Sequence, residues 1–394
     1  MKKMLALITT VITILCVFTA CNRDTGSAEN DESVRFYDQM SMVTESESGI
    51  YFLDDNGFIN FYDFASKQAV IACNKPNCKH QVWTSETPEE QRCNAYQEDM
   101  IRTGFVDGGK LYITVYNPIE GKTRLIRSDL DCSNQEIIAE LSMDYCQQMA
   151  VKDGILYMPN NKTVFQLSEE GLPEMNGQSQ TWIYAVNLKT GEVKGMTDLS
   201  TNYNSQLRMV SAEGNEIYFD YTYCEEYFDG YNYEDAKPHT ELYVFDIAEN
   251  EYKRVDIEQQ SLNTAYLLVS NGKTITHERK NLSDTEWKLV ETDLETGERK
   301  TICEADTSAS VIGTAVRYDT ADGTYIYDIA NGESRKLDNT LADGFYISAV
   351  TDHYIFGRDS YIGGAGSDSR NMIVSIDDYI SGSPNYIYLD GETQ

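Results

Sequence analysis

A short unit that recurs along the chain constrains the fold more than any other feature of the sequence. Each copy contains a strand rich in β-branched and aromatic residues, a tight turn, and a second strand that ends near an Asp. Turn dipeptides such as Asn56-Gly57 and Asp153-Gly154 supply the positive φ angles that tight hairpins require. The copies lie at residues 59–64, 125–130, 183–192, 242–247, 289–298, 325–332 and 372–377. The repeat predicts an all-β chain of many short antiparallel strands.

The spacing of the copies predicts how these strands are arranged. The Asp marker, which is Asn in one copy, occurs at positions 63, 129, 187, 246, 293, 328 and 377, so its intervals run from 35 to 66 residues. Four-stranded blades of a β-propeller have about this length, and radial blades leave only short edges. We expect residues 34–394 to form one β-propeller of seven blades, with six or eight blades, or an unrelated all-β multidomain chain, as the alternatives. The ring would close if residues 34–37 paired beside the C-terminal strand at 385–389.

The repeat resembles propellers of the TolB-like and quinoprotein-like kind. It lacks the Gly-His and Trp-Asp signature of WD repeats and the paired glycines of kelch repeats. The resemblance implies the fold, and nothing beyond generic blade geometry points to a quinone enzyme.

The N-terminus has the pattern of a secretory signal. Lys2 and Lys3 precede a short, uncharged and mostly apolar stretch, so residues 1–20 are expected to be a cleaved signal peptide. The small residues just before Cys21 resemble the lipobox of bacterial lipoproteins, which implies that Cys21 is lipidated; an ordinary signal cut after Ala20 is the alternative. Residues 21–33 are polar and read as the lipidated Cys and a flexible tether. We expect the chain to be lipid-anchored on the extracytoplasmic face of the cell membrane.

The composition excludes one class of partner. The chain has 394 residues, with 64 Asp and Glu against 32 Lys and Arg, and a formal net charge of −32. Nucleic-acid binding requires a basic surface, so we expect no nucleic acid among the partners. The 28 Tyr and the hydrophobic content of 41% argue against a disordered acidic chain.

The most specific internal motif lies between the first two predicted blades. Cys73, Cys78, His80 and Cys93 offer three thiolates and one imidazole, the ligand set of a closed structural zinc site. A disulfide between two of the cysteines, or free thiols, are the alternatives. In each case we expect a structural site that stabilises a long inter-blade connection rather than a catalytic centre. For zinc the reason is that a catalytic ion keeps an open coordination position, which four protein ligands would fill.

The lipobox, this motif and the propeller together resemble acidic surface lipoproteins of Gram-positive bacteria that carry a domain of unknown function. In those proteins a Cys-x4-Cys-x-His stretch and a later Cys-Asn-Ala follow the first propeller strands, as Cys73, Cys78, His80 and residues 93–95 do here. The resemblance covers most of the chain. It implies location and fold, and it brings no activity.

An insertion at residues 220–235 combines aromatic rings with acids. Aromatic faces beside carboxylates suit sugar rings or a cationic peptide, although a solvated acidic hairpin is the simpler interpretation. The candidate ligand contacts of this loop are Tyr221, Tyr223, Tyr227, Phe228, Tyr231 and Tyr233.

No catalytic signature stands out in the sequence. None of the four His belongs to a His-Glu-x-x-His motif, and neither a Gly-x-Ser-x-Gly elbow nor a P-loop is present. With 64 acids, chance carboxylate pairs are expected, so no glycosidase pair is singled out. We therefore expect a membrane-anchored binding or scaffolding module for a glycan, a peptide or an envelope protein. The alternative is an envelope glycoside hydrolase or lyase that uses carboxylates of the central channel.

Overall fold

The computed structural model describes most of the predicted propeller. The described residues are 33–143, 146–167, 173–226, 238–257, 263–279, 287–305, 309–337, 345–359, 370–382 and 384–389. The predicted signal peptide 1–20, Cys21 and nearly all of the tether 21–33 therefore lie outside them. Within the described part of the chain, no helix is both long and apolar enough to cross a membrane.

Short antiparallel strands account for nearly all regular structure, as the repeat predicts. One short helix, α1 (Ile376–Ser381), and one 3-10 turn, Glu89–Gln91, are also present in the described residues. The strands are β1 (Arg35–Gln39), β2 (Val43–Ser46), β3 (Gly49–Leu53), β4 (Ile59–Asp63), β5 (Gln68–Ile71), β6 (Met100–Asp107), β7 (Lys110–Asn117), β8 (Lys122–Ser128), β9 (Glu136–Leu141), β10 (Gln148–Lys152), β11 (Ile155–Leu167), β12 (Pro173–Asn187), β13 (Val193–Glu213), β14 (Glu216–Cys224), β15 (Pro238–Asp246), β16 (Glu251–Arg254), β17 (Asn263–Ser270), β18 (Lys273–Arg279), β19 (Trp287–Asp293), β20 (Arg299–Ala305), β21 (Ala309–Ile312), β22 (Ala315–Thr320), β23 (Gly323–Asp328), β24 (Glu333–Lys336), β25 (Phe345–Val350), β26 (Tyr354–Asp359), β27 (Asn371–Ser375) and β28 (Ile387–Tyr388).

The described strands form five hydrogen-bonded sheets, so the prediction of seven separate blades is not met. Four sheets have four sequential strands each: β2–β5, β6–β9, β17–β20 and β21–β24. The fifth sheet has twelve strands in the order β16-β15-β14-β13-β12-β11-β10-β1-β25-β26-β27-β28. The prediction of four-stranded units is therefore confirmed. The prediction that every unit forms a separate sheet is wrong.

Two elements merge three four-stranded groups into the large sheet. The long strand β13 pairs with β12 from Val193 to Tyr203 and with β14 up to Glu213, with a register shift between Tyr203 and Gln206. One continuous strand thus serves as the outer strand of one group and the inner strand of the next. The strand β1 pairs antiparallel with both β10 and β25, the inner strands of two other groups.

The recurring Asp has a local structural role. It ends the third strand of a group, as Asp63, Asp246 and Asp328 do, and its carboxylate accepts backbone N–H groups of the following turn. For example, Asp293 Oδ1 accepts from the N–H of Thr296 at 2.8 Å, which lowers the pKa of that carboxyl. A short acceptor side chain at this point stabilises the turn into the fourth strand, which explains the sequence marker.

Seven hydrophobic clusters lie between consecutive four-stranded groups of the described structure and complete a ring. The cluster that joins the last group to the first contains Val43 and Ile50 from β2 and β3, and Phe356 and Ile373 from β26 and β27. Burying these side chains stabilises each interface, by about 1.5–3 kcal/mol for a fully buried large aliphatic or aromatic residue. The groups therefore pack radially around a central channel, which is the arrangement of a β-propeller.

Ring closure differs from the prediction. Residues 34–37 do not pair with the C-terminal strand: β1 lies in the channel, and β28 pairs with β27 of its own group. The first and last groups are instead joined by the apolar cluster and by polar contacts of Glu45, whose carboxylate accepts from Thr351 Oγ1 at 3.0 Å and lies 2.9 Å from His353 Nδ1. Packing rather than shared strands closes this ring.

Candidate metal centre and central channel

The predicted Cys and His residues lie in the connection between β5 and β6. This connection, residues 72–99, contains only the 3-10 turn as regular structure, and polar contacts hold its shape. Lys75 Nζ donates to the carbonyl of Arg92 at 3.0 Å, and Trp83 Nε1 donates to the carbonyl of Cys93 at 2.9 Å. His80 itself has a left-handed φ of 50°, which turns the chain back toward Cys93. These contacts bring residues that are 20 positions apart in sequence to one point.

The structure brings together all four residues that the sequence predicted. One ligand atom each from Cys73, Cys78, His80 and Cys93 lies within 4.8 Å of every other, and Cys93 Sγ is 3.6 Å from His80 Nδ1. Two sulfur ligands at 2.3 Å from a tetrahedral metal ion lie about 3.8 Å apart. The four donors therefore have the identity and the spacing of a site that can bind a metal ion.

Backbone amides are directed at the sulfur of Cys73. Burial alone raises the pKa of this thiol, but the N–H groups of Lys75 and Asn94 and the thiols of Cys78 and Cys93 outweigh it, so the net pKa lies below the usual value. For the more buried Cys93, burial dominates and raises the pKa, although the N–H of Ala95 bonds its sulfur. A site that stabilises one thiolate beside a second, buried thiol is suited to a cation.

None of the seven cysteines in the described residues forms a disulfide. Three of them converge with His80 on one point, and the choice between a metal site and a disulfide among Cys73, Cys78 and Cys93 stays a prediction. The sequence did not single out a fourth sulfur, that of Cys132, which is buried in the same apolar cluster as Cys93. Only the packing of the β8–β9 turn against the 72–99 connection brings Cys132 there.

The centre of the propeller contains a cavity beside β1. This channel cavity has a volume of about 570 Å³ and runs along the inner strands β13, β17, β21 and β25. Its charged lining residues are Arg35, Asp38, Arg208, Glu213 and Asp352. Because both sides of β1 pair with inner strands, this strand forms one wall of the cavity rather than an outer edge.

Buried contacts fix β1 in the channel. Gln39 is 1% exposed; its Nε2 donates to the carbonyls of Val43 at 2.7 Å and Gly104 at 2.9 Å, and its Oε1 accepts from the N–H of Gly104 at 3.0 Å. Arg35 donates to the carbonyl of Val106 at 3.0 Å and forms an ion pair with Asp107. These contacts connect β1 to β2 and β6, so together with its pairing to β10 and β25 the strand is tied to four groups.

A second cavity, of about 310 Å³, adjoins the channel between the groups of β10 and β13. We call it the side cavity; its polar lining residues include Gln148, Asn160, Asn161, Gln206 and Arg208. Arg208 borders both cavities. Gln148 begins β10 and Gln206 begins the inner half of β13, so the side cavity lies where the inner strands start.

The aromatic insertion is only partly within the described residues. Tyr227, Phe228, Tyr231 and Tyr233 lie outside them. Tyr221 is 2% exposed and packs against the rings of Tyr223 and Tyr243, so it is not available to a ligand in this structure. The physical reason is that β14 continues to Cys224, which places Tyr221 inside the sheet rather than in a loop. Tyr223 is half-buried and stacks on His239 with ring centroids 5.0 Å apart.

No protein-family model matches the chain, and no curated protein matches it. Among solved structures, the β-propeller domain of the Trilobed protease from Pyrococcus furiosus, described as having an open velcro topology, aligns with a TM-score of 0.51 and 12% identity over 89% of this chain and 98% of that one. An oligogalacturonate lyase in complex with manganese aligns with a TM-score of 0.50 and 12% identity over 88% and 92% of the two chains. At such identities the similarity shows the fold alone: the chain is an all-β β-propeller.

TolB from Acinetobacter baumannii is also among the structural neighbours, at 15% identity over 79% of this chain and 67% of that one. Its TM-score of 0.31 carries no argument about the kind of propeller or its function.

Proposed function

We propose that the chain is a lipid-anchored extracytoplasmic protein whose β-propeller binds an extracellular ligand or an envelope protein through its central channel. The observation that carries this proposal is the channel cavity of about 570 Å³, lined by inner strands and by β1. Its volume is within the range of ligand sites, and its mixed apolar and polar lining is typical of binding pockets. The anchor is Cys21, with residues 1–20 as the signal peptide and 21–33 as the lipidated Cys and tether.

The propeller in this proposal has seven blades. The twelve-stranded sheet counts as three of them, because β13 is shared by two blades and β1 only joins inner strands across the channel. The seven apolar clusters of the described residues support this count, since a closed ring has one interface per blade.

The metal at Cys73, Cys78, His80 and Cys93 is proposed to be structural zinc. Three thiolates and one imidazole form a tetrahedral set that Zn²⁺ prefers and that leaves no open position for substrate. The 28-residue connection between β5 and β6 has one 3-10 turn as its only regular structure, so a bound ion would stabilise it beside the first two blades.

The tether gives the propeller an orientation in this proposal. The N–H of Val34 donates to the carbonyl of Gly214 at 3.0 Å, and Gly214 lies in the turn after the inner half of β13. The tether therefore leaves at the end of the channel where the inner strands finish. That end would face the membrane, and the side cavity, where the inner strands start, would face away from it.

The anchor is tested by membrane fractionation of a Cys21→Ala variant. We expect the wild type in the membrane fraction and the variant in the soluble fraction, because a chain without its lipids loses its anchor. A Cys16→Ala variant changes a cysteine of the predicted signal and should stay with the membrane. Retention of Cys21→Ala on the membrane would contradict the lipoprotein assignment.

Binding is tested with the purified chain against panels of oligosaccharides and peptides, with product formation followed in the same samples. We expect binding without turnover. Release of new reducing ends or unsaturated sugars would instead support the alternative, an envelope glycoside hydrolase or lyase in which the channel-lining acids Asp38, Glu213 and Asp352 do the chemistry.

A further inference from the structure

The side cavity is lined by an unusual set of groups for so acidic a chain. Among the described residues that line it, five carry carboxamides, one carries a guanidinium, and none is acidic. A carboxamide offers two N–H donors and one carbonyl acceptor, so a cluster of them matches hydroxyl groups, which both donate and accept. This chemistry recognises uncharged polar ligands.

One of these carboxamides has an amide nitrogen with no hydrogen-bond partner inside the protein. Asn160 is 2% exposed, and its Nδ2 makes no hydrogen bond, although the residue lines the cavity. Leaving a buried donor unsatisfied is costly, which is why most such groups are paired. Its neighbour Asn161, in contrast, is paired with the backbone, since it donates to the carbonyl of Leu207 at 3.1 Å and accepts from the N–H of Leu207 at 2.6 Å. Asn160 thus places an unpaired, buried donor in the wall of the side cavity.

Arg208 is the one cationic residue among the described residues that line the side cavity, and its charge is already balanced. Arg208 Nη2 lies 3.0 Å from Asp220 Oδ2, and it also donates to the carbonyl of Tyr266 at 2.5 Å. Asp220 is itself buried and accepts from the N–H of Tyr266 at 3.2 Å. Arg208 therefore lines the side cavity as one half of an ion pair and adds no net charge to it. An anionic ligand would gain little here and would be repelled by a chain with a net charge of −32.

Groups at the adjoining end of the channel extend the polar surface. Asp38 accepts from Gln148 Nε2 at 3.0 Å and gives the site a strong hydrogen-bond acceptor. Tyr346 is 53% exposed at the start of β25, and its hydroxyl lies 3.5 Å from Met40 Sδ. An exposed ring near the mouth of the channel offers an apolar face to a sugar ring.

We propose that the side cavity binds a neutral glycan, with Asn160, Gln206 and Arg208 hydrogen-bonding its hydroxyl or acetamido groups. The proposal rests on the proposed binding function and names its site and its ligand class. A volume of about 310 Å³ is at the lower end of ligand pockets, so the cavity takes one or two sugar rings of a longer chain.

The test is isothermal titration calorimetry of the full purified chain with cellotetraose, maltotetraose, chitotetraose and mannotetraose, and with trigalacturonate as the charged counterpart. We expect one of the neutral tetrasaccharides to bind and an Asn160→Leu variant to bind it about tenfold more weakly, the usual effect of one lost hydrogen bond. Because the substitution removes an unpaired buried amide, the melting temperature should stay the same or rise.

A matched control is Thr181→Val, which removes another fully buried and unpartnered polar atom that does not line the cavity. It should leave the affinity unchanged. Gln206→Ala changes an exposed cavity residue and should also weaken binding, which keeps the test decisive if Asn160→Leu does not fold.

Three results would overturn the inference. Undiminished affinity in both cavity variants would place the glycan elsewhere, and binding of trigalacturonate or of a peptide alone would reject the neutral class; both leave the proposed binding function intact. If no glycan, peptide or envelope protein binds the chain, the proposed function fails together with this inference.

Discussion

At the residue scale, the convergence of the Cys and His residues was predictable and the placement of Tyr221 was not. Three thiols and one imidazole at this spacing predicted a shared site, because they form the ligand set of a structural zinc ion. The structure brings their donor atoms, in Cys73, Cys78, His80 and Cys93, within 4.8 Å of one another. Tyr221 was misplaced because its aromatic neighbours suggested a loop, whereas the strand continues past it. No local pattern could show that Asn160 Nδ2 would be left without a partner, since that depends on tertiary packing.

His277 gives the chain a pH-dependent stability. Its ring stacks on Trp287 with centroids 4.0 Å apart, and burial together with the charge of Arg279 lowers its pKa from 6.5 to about 4. Between these pH values the unfolded chain binds a proton that the folded chain does not, so stability is full above about pH 6.5 and falls toward pH 4.

We expect a His277→Gln variant to lose less stability than the wild type when the pH is lowered. The observable is the difference in melting temperature between pH 7.5 and pH 4.5, measured by calorimetry for each protein. Loss of the stacked ring shifts both values of the variant equally and cancels in this difference. An equal acid-induced drop in the two proteins would show that His277 does not carry the effect.

At the scale of elements, the strand β1 is the main departure from expectation. Its sequence, aromatic and alternating, fits an edge strand beside the C-terminus as well as it fits a strand in the channel. What decides between them is Gln39, whose buried carboxamide makes three hydrogen bonds to backbone groups of Val43 and Gly104. Such specific long-range pairing is set by tertiary structure, and the sequence pattern alone does not contain it.

A Gln39→Ala variant should therefore be less stable by about 2–3 kcal/mol, because it leaves buried backbone groups without partners. The measurement is urea unfolding, in which the midpoint should fall while the slope stays the same. The matched control is Gln68→Ala, at an exposed position of β5, with an expected change within about 0.5 kcal/mol. If the two variants were equally stable, β1 would not be held as described.

At the scale of the whole molecule, the repeat predicted the class of fold correctly and the partition of its sheets incorrectly. The four-stranded unit follows from turn chemistry that recurs at each Asp marker. Three four-stranded groups form one sheet because β13 is unbroken and because β1 pairs with two inner strands. A repeat in the sequence indicates the strands within a group, but it does not indicate hydrogen bonds between groups. The 72–99 connection has almost no regular structure, so it is the segment that a bound metal ion would stabilise most.

The central proposal is that a single closed zinc site stabilises the 72–99 connection, which leaves the channel rather than the metal as the place of binding. It is tested most directly by native mass spectrometry of the purified chain, beside Cys78→Ser and a Cys303→Ser control that changes a cysteine outside the cluster. We predict one Zn²⁺ per chain in the wild type and the control, and loss of the metal in Cys78→Ser. A metal-free wild-type mass that is two hydrogens lighter, as a disulfide requires, would contradict the account.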